Sequence, residues 1–344
     1  MKMNTFPRRT GAVVAATTAS ALLLAACAGG GPSPTSSDEP APAGGGQLLI
    51  IGPAAPAMEL IVKDFAAKTG IDAIFSPVTP ATEMNARIEA EQSAGKYLHD
   101  IILSTSCGIL DHADWLDEEQ PELENIGNLE PEYAELIPEI GVGVPWQISS
   151  YALLVNTDQV PEGSIESWWD LTDPKWSGTM SRNAMTLAGT GLTFFEASAQ
   201  VLGRDFHEEL AQQQAAINQR YEVAARQVAQ GEYSMYFPFL ITYAPDYAGL
   251  PVQVIIPEEG APTLVGWAAK AKNAPNGANA DLFLDYLLTD EAQQHVVETV
   301  HKSVTDNEVF QFNGEPVVDL GSPVCGPARA ELDALAEEIY GAGN

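Results

Sequence analysis

The order in which short apolar runs and amphipathic stretches follow one another constrains this chain more than any other feature. "LLIIG" (48–52), "IDAIFSPV" (71–78) and "DIILSTS" (100–106) suit strands buried on both faces. Between the first two, "AMELIVKDFAAKTG" (57–70) places Leu60, Ile61, Phe65 and Ala66 on one helical face and ends on Gly70, a natural C-terminal cap. Thr79-Pro80 reads as the N-cap and first-turn proline of a helix running to Glu91. Parallel strands need a crossover between them, and a helix supplies it. Strand, helix and strand in this order therefore predict an α/β fold with a largely parallel sheet.

The pattern restarts after "GVGVPWQISSYALLVNT" (141–157), which is too long and too apolar for a loop. Helices are expected over 193–203, 205–229, 278–302 and 328–340, and strands at "EYSMYF" (232–237) and "PVQVIIP" (251–257). Two α/β units with extended connections predict two lobes with mixed, largely parallel sheets, hinged across a cleft. Residues 47–146 and 258–302 are assigned to the first lobe, and 147–257 to the second. Residues 303–344 are assigned to a C-terminal helical segment packing on the lobes. A chain of 344 residues is long enough for two such units.

Residues 1–26 read as an export leader. Lys2, Arg8 and Arg9 precede an uncharged run from Gly11 to Ala26, shorter than the ~20 residues of a membrane span. The Arg8-Arg9 pair leaves Sec and twin-arginine export both open. Leu24-Ala25-Ala26-Cys27, followed by Ala-Gly-Gly-Gly, resembles the lipobox of bacterial lipoproteins. The resemblance implies that Cys27 is acylated and anchors the protein to the outer face of the cell membrane, since two or more chains hold stably where one does not. Residues 27–46, rich in Gly, Pro, Ser and Ala, are expected to be a disordered tether.

Charge and motifs exclude several classes. With 16 Lys+Arg against 47 Asp+Glu, a net charge of −31 speaks against nucleic acid as a partner. It suits a solvated exterior or a cationic partner. There is no GxSxG elbow, phosphate-binding Walker loop or HExxH, and "SAGK" (93–96) lacks the companion motifs of an acyl-enzyme. No enzyme and no cofactor are expected, an exported hydrolase being the alternative of another class. His99, His112, His207, His295 and His301 are scattered and form no metal-spaced pair. In an oxidising compartment Cys107 and Cys325 either pair or stay two buried thiols, and spacing does not decide between these.

"SYALLVNTDQVPEGSIESWWDLTDPKWSGTM" (150–180) resembles the signature of family 1 extracellular solute-binding proteins of ABC importers: a hinge strand ending in Val-Asn, then a Trp-Asp-Leu…Pro-Lys-Trp-x-Gly corner. "GEYSMYF" (231–237), "GLPVQVIIPEEGAP" (249–262) and "AKNAPNGANADLFLDYLLTDEAQQHV" (271–296) resemble later stretches of the same family. "DFAAKTGIDAIF" and "ARIEAE" match its opening lobe. The resemblance runs in order over about residues 48–300. It implies the type II periplasmic-binding-protein fold and a monomer that captures a small solute between its lobes. The solute then passes to a membrane permease with its ATPase.

In open α/β sheets, ligands sit beyond the carboxyl ends of the strands. Those places hold Ala55, Thr105 and Ser106, with Trp146 and Ser149 where the chain crosses between lobes, Gly189, Thr190 and Gly191 at a helix start, and Phe237 and Tyr243 after the "GE" strand. Small residues at a helix N-terminus suit an anion, or else only tight packing. The leading ligand is iron(III), as a ferric chelate or with a bound anion. The family's ferric binders present adjacent tyrosines, however, and Tyr236, Tyr243 and Tyr247 form no such pair. A phosphonate or sugar phosphate would use Gly189–Gly191 with Thr105, Ser106, Ser149 and Arg182. A polyamine- or thiamine-type cation would use Trp146, Phe237 and Phe239. The clustered Trp168, Trp169 and Trp176 suggest a platform for a cation. Their place between the crossover strand and Gly189 instead predicts a packed corner, with Trp168 and Trp176 buried and Asp173-Pro174 making its turn.

Overall fold

The computed structural model describes residues 46–187, 189–305, 308–323 and 325–344, so the leader, Cys27 and nearly all of the tether lie outside the described residues. Most of the apolar runs become the expected strands, trimmed at their ends, while the first begins one residue earlier, at Gln47, and the run expected at 232–237 lies at Met235–Leu240. The first unit comprises β1 (Gln47–Gly52), α1 (Pro56–Thr69), β2 (Asp72–Pro77), α2 (Ala81–Ser93), β3 (Ile101–Thr105) and α3 (Ser106–Asp111). Two short helices, α4 (Pro131–Ala134) and α5 (Leu136–Ile140), lead into β4 (Val144–Asn156), whose thirteen residues are all buried. Then come β5 (Met180–Arg182), α6 (Thr190–Ala211), β6 (Ala216–Ile217), α7 (Tyr221–Ala229), β7 (Met235–Leu240) and β8 (Val252–Ile255). The chain closes with β9 (Ala261–Lys270), α8 (Gly277–Tyr286), α9 (Asp290–Glu298), β10 (Gln311–Phe312), β11 (Glu315–Pro316), β12 (Asp319–Gly321) and α10 (Pro327–Tyr340).

The main sheet runs β2-β1-β3-β9-β4-β7-β5-β6, with β12 on β9 and β8 on β4. Its ends are parallel (β1 with β2 and β3, β5 with β6 and β7), as helix crossovers require. Its middle is antiparallel, where β9 and β4 lie side by side. One core gathers Leu48, Ile50, Phe65, Ile102, Trp267 and Phe283 around the first parallel end. A second gathers Tyr151, Trp168, Phe194, Phe206 and Phe237, and a smaller third joins Tyr236, Phe239 and Tyr243 to α7. β4 and β9 contribute to the sheet of both halves, which explains why β4 has no polar face along its length.

Several local expectations are corrected. Leu60 is 38% exposed, and the buried face of α1 is Ala57, Met58, Ile61, Val62 and Phe65. The N-cap of α2 is Pro80, and Thr79 instead accepts a hydrogen bond from the Ala54 amide at 3.4 Å. The run 205–229 is not one helix. α6 runs through the first expected stretch and into the second across a kink at Gly203, stops at Ala211, and hands over to β6, which pairs with β5. The run 278–302 divides at Thr289, whose hydroxyl caps α9 by accepting from the Ala292 amide. The described residues of 303–344 hold three strands besides α10, and β12 extends the sheet beside β9. β9 itself, "APTLVGWAAK", had no sequence assignment.

The tryptophan corner is packed. Trp168 is fully buried, with its Nε1 donating to Gly260 O at 2.8 Å and its ring 5.1 Å from Phe194. Ser167 and Asp170 form a capping box at this turn, and Asp173 accepts from the Lys175 amide at 2.9 Å. Burying an indole removes about 200 Å² from water, roughly 5 kcal/mol of transfer free energy. A ligand platform would have to leave that surface open. Trp176 is buried too, and only Trp169 is partly exposed.

Candidate functional site

Strand polarity decides where a site can form. β1, β2 and β3 run parallel, and their carboxyl ends deliver Pro53–Ala55, Thr79 and Thr105–Ser106 to one edge of the first core. The Ala54–Thr79 bond knits the first two of these ends together. Thr105 is the N-cap of α3, its Oγ1 accepting from the Gly108 amide at 2.9 Å, and Ala55 is the N-cap of α1. In the second half β5, β6 and β7 are likewise parallel and end at Arg182, Ile217 and Leu240. The residues just beyond form an amide network. Asn183 Nδ2 donates to Asn218 O at 3.0 Å and to Gln219 Oε1 at 3.3 Å, and the Tyr236 hydroxyl donates to Asn183 Oδ1 at 2.6 Å.

The two edges are joined across the middle of the sheet. Thr105 pairs with Gly266 of β9, which pairs with Gln147 of β4. Gln147 Nε2 reaches Ser149 Oγ at 3.4 Å, and Tyr151, two residues on, packs against Phe194 in α6. A shift of register between Pro145 and Gln147 brings both Trp146 and Gln147 over Gly266, where a Cβ would meet Gln147 Cγ at 2.8 Å and Trp146 Nε1 at 3.2 Å. Bulges of this kind re-aim side chains beside functional sites. Trp146 Nε1 and Gln147 Oε1 are buried there without a described hydrogen-bond partner.

α6 begins at the second edge. Its N-cap, Gly189, is exposed with φ 125°, and no described side chain caps the helix. The first-turn amides thus lack the usual side-chain acceptor and carry the positive end of the dipole. Gly191 has a different reason to be glycine: an added Cβ would lie 2.0 Å from Ala184 O. Packing of α6 on that backbone, not approach to a ligand, excludes a side chain there.

Four other expected contacts turn inward and do not open onto these edges. Phe237 is fully buried in the second core, 6.2 Å from Phe194, because its register partner Arg182 and the α6 helix enclose it. Tyr243 stacks on Tyr221 at 4.1 Å and is buried in the third core. Arg182 is buried, donating to Asn183 O at 2.9 Å with its guanidinium 4.7 Å from the Tyr340 ring centre, so α10 holds it. Phe239 is likewise core. Burial pushes the Tyr236, Tyr243 and Tyr247 hydroxyls above their ordinary pKa, so none offers a phenolate at neutral pH. Among the described residues no group of three His, Cys, Asp or Glu is placed to hold a metal ion. Cys107 and Cys325 are joined in a disulfide.

Sequence reasoning missed Asn183, Gln219 and Gly266, and met Gln147 only as part of the stretch that crosses between lobes. "SRN" and "INQ" are ordinary polar triplets, and a bulge leaves no mark in the periodicity of a strand. A separate cavity of 740 Å³ lies along β8, between Ala244–Gly249, Val297–Ser303 and Glu308–Asn313. None of the expected contacts lines it. No helix among the described residues is long and apolar enough to cross a membrane.

Solved structures share this architecture. The periplasmic binding protein AfuA from Actinobacillus pleuropneumoniae, with fructose-6-phosphate bound, matches 87% of this chain and 99% of its own at TM-score 0.71 and 22% identity. Iron-bound HitA from Pseudomonas aeruginosa matches 85% and 99% at TM-score 0.68 and 21% identity. The fold is that of the type II periplasmic binding proteins. The spermidine/putrescine-binding periplasmic protein of Salmonella typhimurium is 23% identical over 265 residues, 70% of this chain and 72% of that one. An uncharacterised Haemophilus influenzae protein is 31% identical over 149 residues, 41% of this chain and 43% of that protein. The model of one family, described as bacterial extracellular solute-binding protein, matches residues 61–311. Its span takes in the ends of β2 and β3, the second edge and the two strands that join the edges, and the chain belongs to that family, whose members bind substrates for transport and are not enzymes.

Proposed function

We propose that this protein is the receptor of an ABC importer, held on the outer face of the membrane through lipid on Cys27. It has two lobes, and they close over an oxyanionic solute. A ligand touching both edges shifts an open–closed equilibrium by its differential contacts, and the permease reads the closed form. One observation carries the oxyanion reading: α6 opens at an exposed Gly189 with no side-chain cap, beyond the carboxyl ends of β5–β7. Amides and dipole there suit a phosphoryl or carboxylate group. Hydroxyls at Thr105 and Ser106, at the first edge, are taken as the partners from the other lobe. The net charge of −31 works against an anion at long range, but salt screens it within about 8 Å, leaving local donors to decide. A sugar phosphate, as in the AfuA complex, fits this chemistry. A ferric chelate fits it only by bringing its own oxyanions, since the buried tyrosines supply none. The polyamine reading has the curated relatives and the acidic surface behind it, but its aromatics Trp146, Phe237 and Phe239 are core residues.

Titration calorimetry against fructose 6-phosphate, inorganic phosphate, ferric citrate and spermidine tests the reading. Binding of an oxyanion is expected, and a response to spermidine alone would overturn it. Thr190→Pro gives the sharper check. Thr190 is the first residue of α6, where proline is tolerated; the substitution removes its amide proton and its hydroxyl, and Thr190→Val, which removes the hydroxyl alone, separates the two. Affinity for the oxyanion should drop about tenfold, the order expected for one charge-assisted hydrogen bond, with little change in melting temperature.

A further inference from the structure

β4 and β9 are not the only links between the two cores. α3 belongs to the first core through Ile109, and α10 to the second through Ala336 and Tyr340. The disulfide between Cys107, the second residue of α3, and Cys325, just before α10, joins them covalently across 218 positions of sequence. Arg329 of α10 repeats the connection with charge. It ion-pairs through Nη1 with Asp111 at the end of α3, and through Nε with Glu196 of α6 at 2.5 Å. Glu196 is buried and the Arg329 side chain is largely so, so solvent screens the contact less than it would a surface pair. Between these ties, β12 lies against β9, and Ser322 O accepts from Gln200 of α6 at 3.0 Å. The tether meets the proposed solute site directly: Ser106 Oγ lies 3.7 Å from Cys325 Sγ, and Thr105 precedes it in the chain.

We infer that Cys325 and Arg329 are positioning residues for the solute site, holding α3 to the second core and so limiting how far the Thr105–Ser106 edge swings from the N-terminus of α6. The inference rests on the reading that these two edges face one solute. β4 and β9 alone would permit rotation about the strand pair. A third attachment, displaced from that pair along α3 and α10, removes the rotations that separate those helices.

The test uses the full chain with spin labels on p-acetylphenylalanine at positions 74 and 217, exposed sites on β2 and β6. Electron–electron distance measurements compare the wild type with Cys107→Ser/Cys325→Ser, Arg329→Gln and Arg329→Lys. Without ligand, the double serine variant should show a broader distribution reaching longer distances. Arg329→Gln should show a smaller shift, and Arg329→Lys should recover most of the wild-type distribution. Amide exchange should rise about tenfold in residues 104–112 and 319–329, with β1 and β7 unchanged. Affinity for fructose 6-phosphate should fall severalfold in the double variant. An unchanged distance distribution would overturn the inference, as would exchange rising uniformly across both cores, which is the mark of lost stability alone. Should the wild type bind none of the oxyanions, the distance measurement still decides whether the tether limits opening, while the solute reading fails separately.

Discussion

Gly191 and Glu196, five residues apart on α6, show how single positions acquire their meaning from what the fold brings to them. At Gly191 the backbone of Ala184 passes so close that a methyl group would sit 2.0 Å from its carbonyl oxygen. Gly191→Ala must push β5's continuation off the helix. It is expected to cost about 2–3 kcal/mol, as overpacked core substitutions do, measured as a lower midpoint in urea. Glu196 is buried, and desolvation pushes its carboxyl up to about 7, against the opposing pull of Arg329 and with Asp333 adding to the rise. Its folded pKa lies above the ordinary 4.5, so this group's contribution is full below 4.5 and is lost as pH rises towards 7. The wild type should therefore lose stability relative to Glu196→Gln between pH 5 and pH 8. His207 and His301 have the opposite sign. Burial lowers them to about 3 and about 4, from an ordinary 6.5. Their contribution is present above 6.5 and lost as the solution is acidified, because the unfolded chain takes up protons the folded one refuses. Each adds a slope of about 1.4 kcal/mol per pH unit within its window, and urea unfolding at pH 7 and pH 5 should show His207→Gln losing less than the wild type.

Among the elements, those whose neighbours are close in sequence were legible, and those whose partners are distant were not. β1, α1, β2, α2 and β3 follow from a hydrophobic pattern that changes from strand to helix and back, because each packs on the next. β9 escaped notice because Gly266 and its run of small residues look weak in isolation. Its place is set by β3, β4 and β12, three strands from three different regions of the chain. The division of 205–229 into α6, β6 and α7 escaped for the same reason, since a two-residue strand exists only because β5 lies beside it. The disulfide is an element-scale tie, closing a loop of over two hundred residues. Its removal in Cys107→Ser/Cys325→Ser should lower the unfolding free energy by about 3 kcal/mol, read by chemical denaturation. Ser167→Ala, by contrast, removes one cap of the tryptophan corner and should cost only about 1 kcal/mol, since Trp168 remains buried.

For the whole molecule, a ligand of the folded state raises stability, and with it the melting temperature, with the logarithm of its concentration over its Kd. A thermal scan in fructose 6-phosphate at a hundred times Kd should gain about 2.7 kcal/mol at 25 °C, and a flat response would count against closure around that solute. Sequence by itself determined the alternation of strand and helix, the packed tryptophan corner and the family, because these depend on apolar pattern and on motifs contiguous in the chain. The uncapped start of α6 was also visible, as Gly189-Thr190-Gly191, although only Gly189 and Thr190 face outward. Tertiary structure alone decided that Cys107 and Cys325 are bonded, that Phe237, Tyr243 and Arg182 turn inward, and that Thr105, Gly266 and Gln147 form one line across the sheet. Those outcomes depend on which strands become neighbours and in what register. Register is fixed by burial summed over the whole sheet, a quantity no local stretch of sequence contains.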